Sequence, residues 1–284
     1  MEKKGIINGA TVQMNFSQFG YDALATLLIN VDAQQLEQIM EYIGKITEIR
    51  TYRQYNSVYN LRAVATLKDL NELDQVKQII RRKLPITGLK TYIWTAVRNI
   101  PENLNLVGTT EGFGETDITN SGKVIYDPDK EIIIDDYDRQ IVQKLTLDGR
   151  MSFTQIAKEI GFSTDTVVKR YHKLRNSGAI KVSIQINPNK IGYNSILDFN
   201  ISSTLLGKLS YSVFDLLAEV PDVIIITKTS GDYDLQLTAM IRDVAQSFAI
   251  QDQIARVCGV TKIEVSARKI PERWPTPQQY ISTA

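Results

Sequence analysis

Between Asp135 and Asn176 the apolar positions recur at helical spacing, and they are broken twice by turn residues. Ile141, Val142 and Leu145 form the stripe of a first helix that starts under Asp135 or Asp136. "DGR" at 148–150 is a turn. Ser152 opens a second helix, with Gln155 three residues on in capping-box spacing, and Gly161 ends it. Ser163 caps a third helix. On a wheel of that helix Val167, Tyr171 and Leu174 face inward with Val168 on their flank. Asp165, Thr166, Lys169, His172, Lys173 and Asn176 face out, and Arg170 stands at the boundary. The next stretch, "AIKVSIQIN", alternates Ile180, Val182, Ile184 and Ile186, which predicts a strand. Two short helices across a tight glycine turn, followed by a strand, spell a winged helix-turn-helix.

The pattern after this module predicts β-α-β-β-α-β. "SILDFNISS" (195–203) alternates as a strand, and 207–220 has helical spacing. Residues 222–241 read as two strands across a turn at Ser230, Gly231 and Asp232. A helix over 243–257 and a strand over 259–270 complete the order, which is the ferredoxin-like arrangement. The first hundred residues repeat it in worn form. "MNFSQFGYDALATL" (14–27) aligns with "INPNKIGYNSILDF" (186–199), so Asn15, Gly20 and Tyr21 meet Asn187, Gly192 and Tyr193. A strand at 24–31, a helix over 32–46, paired strands in 48–66, a helix over 71–84 and a strand from Gly88 follow. The matching turn carries Ser57 for Gly231 and Val58 for Asp232, with Tyr59 and Asn60 opposite Tyr233 and Asp234. Only "GATVQ" survives of a wing before this copy.

The expected class is therefore α+β, a winged helix-turn-helix between two ferredoxin-like domains. The boundaries are 1–100 for the worn copy, 101–134 for an acidic, Gly/Thr-rich linker, 135–189 for the winged module, 190–274 for the second copy and 275–284 for a tail. Fully extended, the linker reaches ~100 Å, so the two copies can pair within one chain or between chains.

Charge changes the picture only locally. The net is +1, but residues 150–181 hold seven Lys/Arg against two acids. A solvated helix face usually mixes both signs; on the third helix only Asp165 opposes Lys169, Arg170, His172, Lys173 and Arg175. That one-sidedness favours double-stranded DNA as partner, with a plain solvated face as the alternative. Ser163, Thr164, Thr166, Lys169, Arg170, His172 and Lys173 are the candidate DNA-binding residues, Arg170 being as suited to bracing the fold as to touching phosphate. Enzyme chemistry is poorly supplied: there is one histidine, one cysteine and no metal or phosphate motif, so no catalytic residue, metal or cofactor is expected. Cys258 cannot form an intrachain disulfide, no apolar run approaches the ~20 residues of a membrane span, and the start lacks a signal-peptide core, which together point to the cytoplasm.

The module resembles the leucine-responsive regulator/AsnC (Lrp/AsnC) family of transcription factors. The matching positions are Asp138, "DGR" 148–150, Ser152, "GFS" 161–163, Arg170, Leu174, "SGAI" 177–180, "NP" 187–188 and "GY" 192–193. The resemblance implies transcription regulation through a winged helix-turn-helix and an effector domain of the ferredoxin-like kind, called RAM for regulation of amino-acid metabolism. It implies that the Gly231, Asp232, Tyr233 and Asp234 turn borders an amino-acid effector site, where the carboxylates would accept from an ammonium; the other reading of that turn is hairpin punctuation. Loss of both carboxylates and the glycine from the worn copy argues for a pairing role there. Single-copy members pair through these sheets, so the two RAM domains of one chain are expected to form a pseudo-dimer. One reading head per chain then calls for a homodimer or higher homo-oligomer to read a palindrome. Two alternatives stay open. One is an effector-sensing partner that binds other family members and touches DNA weakly. The other is an enzyme resembling siroheme decarboxylases, which would want histidine or arginine in a RAM pocket; the one histidine is His172, and 195–267 hold only Arg242 and Arg256.

Overall fold

The computed structural model describes residues 1–100, 132–204, 211–257 and 260–276. The stretch read as a linker lies outside them except for 132–134, as do Cys258 and most of the expected tail. The described residues form two compact units, one from residues 1–20, 132–192 and 271–276, the other from 21–100, 193–204, 211–257 and 260–270. Among the described residues no helix is long and apolar enough to cross a membrane.

The larger unit is an eight-stranded sheet. Its first half runs β2 (Ala23–Val31), α1 (Leu36–Ile43), β3 (Ile49–Gln54), β4 (Leu61–Leu67), α2 (Leu70–Lys83) and β5 (Ile86–Asn99). Its second half runs β7 (Ser195–Ser203), α6 (Tyr211–Ala218), β8 (Val223–Gly231), β9 (Leu235–Ile241), α7 (Ala245–Val257) and β10 (Val260–Lys269). The strand order β10-β7-β9-β8-β5-β2-β4-β3 places each half in the same internal order, with its fourth strand beside its first. Alternation explains the two cores. Ala25, Leu27, Ile29, Leu61, Ala63 and Ala65 point to one face and bury against Ile39 and Ile43 of α1 and Val76 and Ile80 of α2. Leu197, Phe199, Leu235 and Leu237 do the same against Leu217, Ile250 and Ile254. Each fully buried Leu or Ile contributes about 1.5–3 kcal/mol, so both halves hold substantial cores of their own.

The halves are joined within the chain. β5 pairs antiparallel with β8, from Tyr92 opposite Gly231 to Asn99 opposite Ile225. At the outer edges Asn56, just past β3, bridges Ala267 of β10, its N–H donating to the Ala267 carbonyl at 2.8 Å. One backbone bridge thus joins the two edge strands of the sheet. Two local expectations shift. α1 starts at Leu36 because Asp32 Oδ1 accepts the Gln34 N–H at 2.9 Å and turns the chain first. β8 continues through Gly231 because β5 pairs with it that far, so the hairpin turn moves to 232–234.

The smaller unit contains α3 (Asp136–Leu147), α4 (Phe153–Ile160), α5 (Thr164–Asn176) and β6 (Ile180–Ile186). Asp135 caps α3 by accepting the Asp138 N–H at 2.9 Å, and the Asp138 carboxylate returns the favour to the Asp135 N–H at 3.3 Å. Ser152 accepts from the Gln155 N–H at 3.2 Å, but the Gln155 amide turns to Glu159, so only half of the expected box forms at α4. Gly161 ends α4 at φ 77°. The remnant before the first copy is a full strand, β1 (Ile7–Met14), and it pairs antiparallel with β6 from Met14 opposite Ile180 to Ile7 opposite Ile186. Its other side meets the "DGR" turn. Gly149 donates its N–H to the Ala10 carbonyl at 2.9 Å, and a Cβ at 149 would stand 2.8 Å from the Ala10 backbone. The first twenty residues therefore belong with the helices and not with the first copy. Trp274 joins them too, buried and bridged to Ile186.

Candidate nucleic-acid interface

α5 spans about 20 Å, and its N-terminus is set by Ser163, whose hydroxyl oxygen accepts the Thr166 N–H at 3.1 Å. Val167 and Leu174 are fully buried and Tyr171 is half-buried against Phe153, so the inward stripe lies where the wheel puts it. Lys169, His172, Arg175 and Asn176 are exposed, with Asp165 at the start of the same side. Thr164 and Thr166 are half-buried at the first turn. Among the described residues no carboxylate pairs with Lys169 or Arg175.

Two basic residues of the expected DNA set are occupied elsewhere. Arg170 Nη1 donates to both oxygens of Asp135, at 2.8 and 2.7 Å, and to Asp138 Oδ1 at 2.8 Å. Its guanidinium also rests near the rings of Tyr137 and Phe162. Lys173 Nζ donates to the Ile133 carbonyl at 2.6 Å and to Asp138 Oδ2 at 3.1 Å. Asp138 itself is completely buried. The Lys173 ammonium thus ties α5 to α3 while its side chain stays 41% exposed. The physical reason is reach, since a lysine stem on an outward position can fold back over the helix end. Accepting the Asp138 N–H, with Arg170 alongside, also holds the Asp135 carboxyl below its usual range.

The 231–234 turn departs further from expectation. Gly231 has φ 140°, and a Cβ there would meet the Thr91 carbonyl oxygen at 2.8 Å and Tyr92 Cα at 3.1 Å. The close neighbour that requires glycine is the β5 backbone. Asp234 accepts the Ser203 N–H at 2.8 Å. Tyr233 is 2% exposed; its hydroxyl donates to Glu264 and accepts from Lys90 Nζ at 3.2 Å. Burial first, and then that bond to Glu264, push the phenol above its usual range. Of the two carboxylates expected to accept an ammonium, Asp232 is exposed and Asp234 is half-buried.

Sequence reasoning missed a buried polar layer on the sheet face turned away from the helices. Asp198 accepts from Tyr55, from Thr238 Oγ1 at 2.5 Å and from Arg268 Nε at 3.3 Å. Gln236 Nε2 donates to the Tyr92 hydroxyl at 2.7 Å and to Asn200 Oδ1 at 3.0 Å, while Arg62 Nη2 donates to Gln236 Oε1 at 3.0 Å. The signal was present as polar residues at every second strand position, but that pattern also describes a face in water.

A model of the AsnC-type helix-turn-helix domain matches residues 134–175. The HTH-type transcriptional regulator FL11 of Pyrococcus furiosus is 32% identical over 129 residues, which cover 45% of this chain and 84% of that protein. The HTH-type transcriptional regulator LrpA of Pyrococcus horikoshii is 35% identical over 134 residues, covering 46% and 93%. Among solved structures, that of the siroheme decarboxylase NirDL aligns over 99% of this chain and 81% of its own, with a TM-score of 0.63 and 13% sequence identity. At that identity the likeness is one of fold alone.

Proposed function

This chain belongs to the Lrp/AsnC family of helix-turn-helix transcriptional regulators, and from that premise we propose that it is a sequence-specific DNA reader with one reading head per chain. Along the chain the order is a RAM-like ferredoxin half, a winged helix-turn-helix and a second RAM half, acting in the cytoplasm. The observation that carries this is the outward side of α5, where Lys169, His172 and Arg175 stand exposed on a helix whose inner side and N-terminus are fixed. Thr164 and Thr166 at its first turn would meet base edges or phosphates, and Lys169 and Arg175 would meet phosphates. Arg170 and Lys173 act at one remove, by holding α5 against α3.

A two-fold operator needs two heads, so a second chain supplies the other, at half-sites about one helical turn apart or a multiple of it. A decarboxylase-like reading draws on fold likeness only. Of the two arginines that reading could draw on, Arg242 is engaged, bonding to Asp222 and lying over the Tyr193 ring, and Arg256 is exposed on α7.

Fluorescence anisotropy with DNA from the protein's own upstream region, against an unrelated fragment at two salt concentrations, tests the proposal. Tight, salt-sensitive binding that prefers the upstream DNA is expected. No binding to either fragment would sink it and favour a sensing partner of other family members.

A further inference from the structure

The two halves of the large sheet correspond position by position along their ladders. Leu28 lies between Arg62 and Lys90 in the first half, and Asn200 lies between Gln236 and Glu264 in the second. Even the irregularities agree, falling between Ile49 and Thr51 against β4 and between Val223 and Ile225 against β9. Arg62 is thus the counterpart of Gln236, Lys90 of Glu264, and Tyr59 of Tyr233. The seams obey the same relation. Ile93 faces Ser230 where β5 meets β8, and their counterparts, Ala267 and Asn56, form the bridge at the other edge. The halves are therefore related by a pseudo-two-fold axis, and a residue that meets its own counterpart lies on it.

Two such meetings occur among the described residues, and both are unlike pairs. Lys90 Nζ lies 4.0 Å from Glu264 Oε1, and Arg62 Nη2 donates to Gln236 Oε1 at 3.0 Å. The Lys90 ammonium also sits over the rings of Tyr59 and Tyr233, at 5.4 and 5.1 Å from their centroids. These two tyrosines are themselves counterparts, so one cation is held between them. Two copies of the first half would set Lys90 against Lys90 and Arg62 against Arg62. Two copies of the second would set Glu264 against Glu264. Like charges at these separations repel as strongly as the observed pair attracts.

We propose that this face of each half recognises the complementary half of the chain and rejects a copy of itself. The occupant of the first half's polar face is then the second half, and its basic axis residues fit the acidic and amide residues opposite. Two chains consequently do not pair in the manner of single-copy relatives, sheet on sheet through like halves. Whatever brings a second reading head to DNA uses another surface. This inference does not depend on DNA binding.

Substitutions in the full chain test it. Glu264→Lys reproduces the lysine pair of a like-with-like contact, and Gln236→Arg the arginine pair. Each is expected to lower the melting temperature by roughly 2–4 °C. Adding Lys90→Glu to the first, or Arg62→Gln to the second, should recover at least half of the loss; Lys262 and the Tyr233 hydroxyl, which also bind Glu264, account for a remainder. If Glu264→Lys leaves melting unchanged, or if the second-site changes add their own losses and recover nothing, the selective pairing is wrong. Gln236 is buried, so should that variant fail to fold, the half-exposed Glu264 position still decides the matter.

Discussion

Asp198→Ala is expected to destabilise the eight-stranded unit by about 3–5 kcal/mol, the largest effect of any single truncation considered. Asp198 is 1% exposed and stands where the two halves meet. It accepts from Tyr55 of the first half and from Thr238 and Arg268 of the second. Alanine would leave a guanidinium that is only 11% exposed without its carboxylate, and a buried phenol without its acceptor. The same group gives the unit an acid limb. Burial alone would raise its pKa, but Arg268 and Arg62, with the Thr238 and Tyr55 hydroxyls, outweigh burial and hold it below the usual carboxylate range. A depressed folded value means the stabilisation is complete above the unfolded pKa of about 3.9 and is lost as pH falls through the folded one. Urea titrations followed by Trp94 fluorescence in a Trp274→Phe background read this unit. They should show a midpoint far lower for Asp198→Ala at neutral pH, and a flatter acid limb for Asp198→Asn. An unchanged midpoint would mean that the polar layer does not join the halves.

Asp138→Ala is expected to cost the helical unit about 2–3 kcal/mol, less than a fully buried pair would because water reaches Arg170 and Lys173. Asp138 is wholly buried, yet it accepts from Arg170, from Lys173 and from the Asp135 N–H that completes the α3 cap. Its loss removes half of the capping box and one partner from each cation, leaving Arg170 on Asp135 and Lys173 on the Ile133 carbonyl. Trp274 lies in this unit, so its fluorescence in a Trp94→Phe background follows the melt. DNA affinity should fall only in proportion to the unfolded fraction, since a buried carboxylate touches no phosphate. Weaker binding without a change in melting would contradict that account.

Much of this was legible in the residues. Asp135, Ser152, Ser163 and Gly161 marked the helix ends because capping is a local matter, settled within three or four positions. Leu197, Phe199 and Ile201 announced their buried face by alternation. What alternation cannot say is what covers the other face. Asp198, Asn200 and Gln236 read like solvent-facing residues, and they are buried because a second half of the chain lies across them. Gly231 is likewise set by a distant partner: the neighbour that requires glycine is the Thr91–Tyr92 backbone, more than a hundred residues away in sequence. On α5 the wheel gave the direction of each Cα–Cβ bond correctly. It could not give the end of a long side chain, and Arg170 and Lys173 reach back to Asp135 and Asp138, carboxylates more than thirty residues earlier. Local periodicity fixes faces; partners distant in sequence decide what those faces do.

The measurement that bears most directly on the central claim is the salt dependence of DNA affinity for Lys169→Ala beside Lys173→Ala. If the exposed side of α5 lies on DNA, Lys169→Ala weakens binding to all sequences alike and reduces the salt slope by about one unit, with melting unchanged. Lys173→Ala then lowers the melting temperature of the helical unit and leaves the slope as it was. An unaltered slope for Lys169→Ala, with folded protein and unchanged affinity, would mean that α5 does not face DNA.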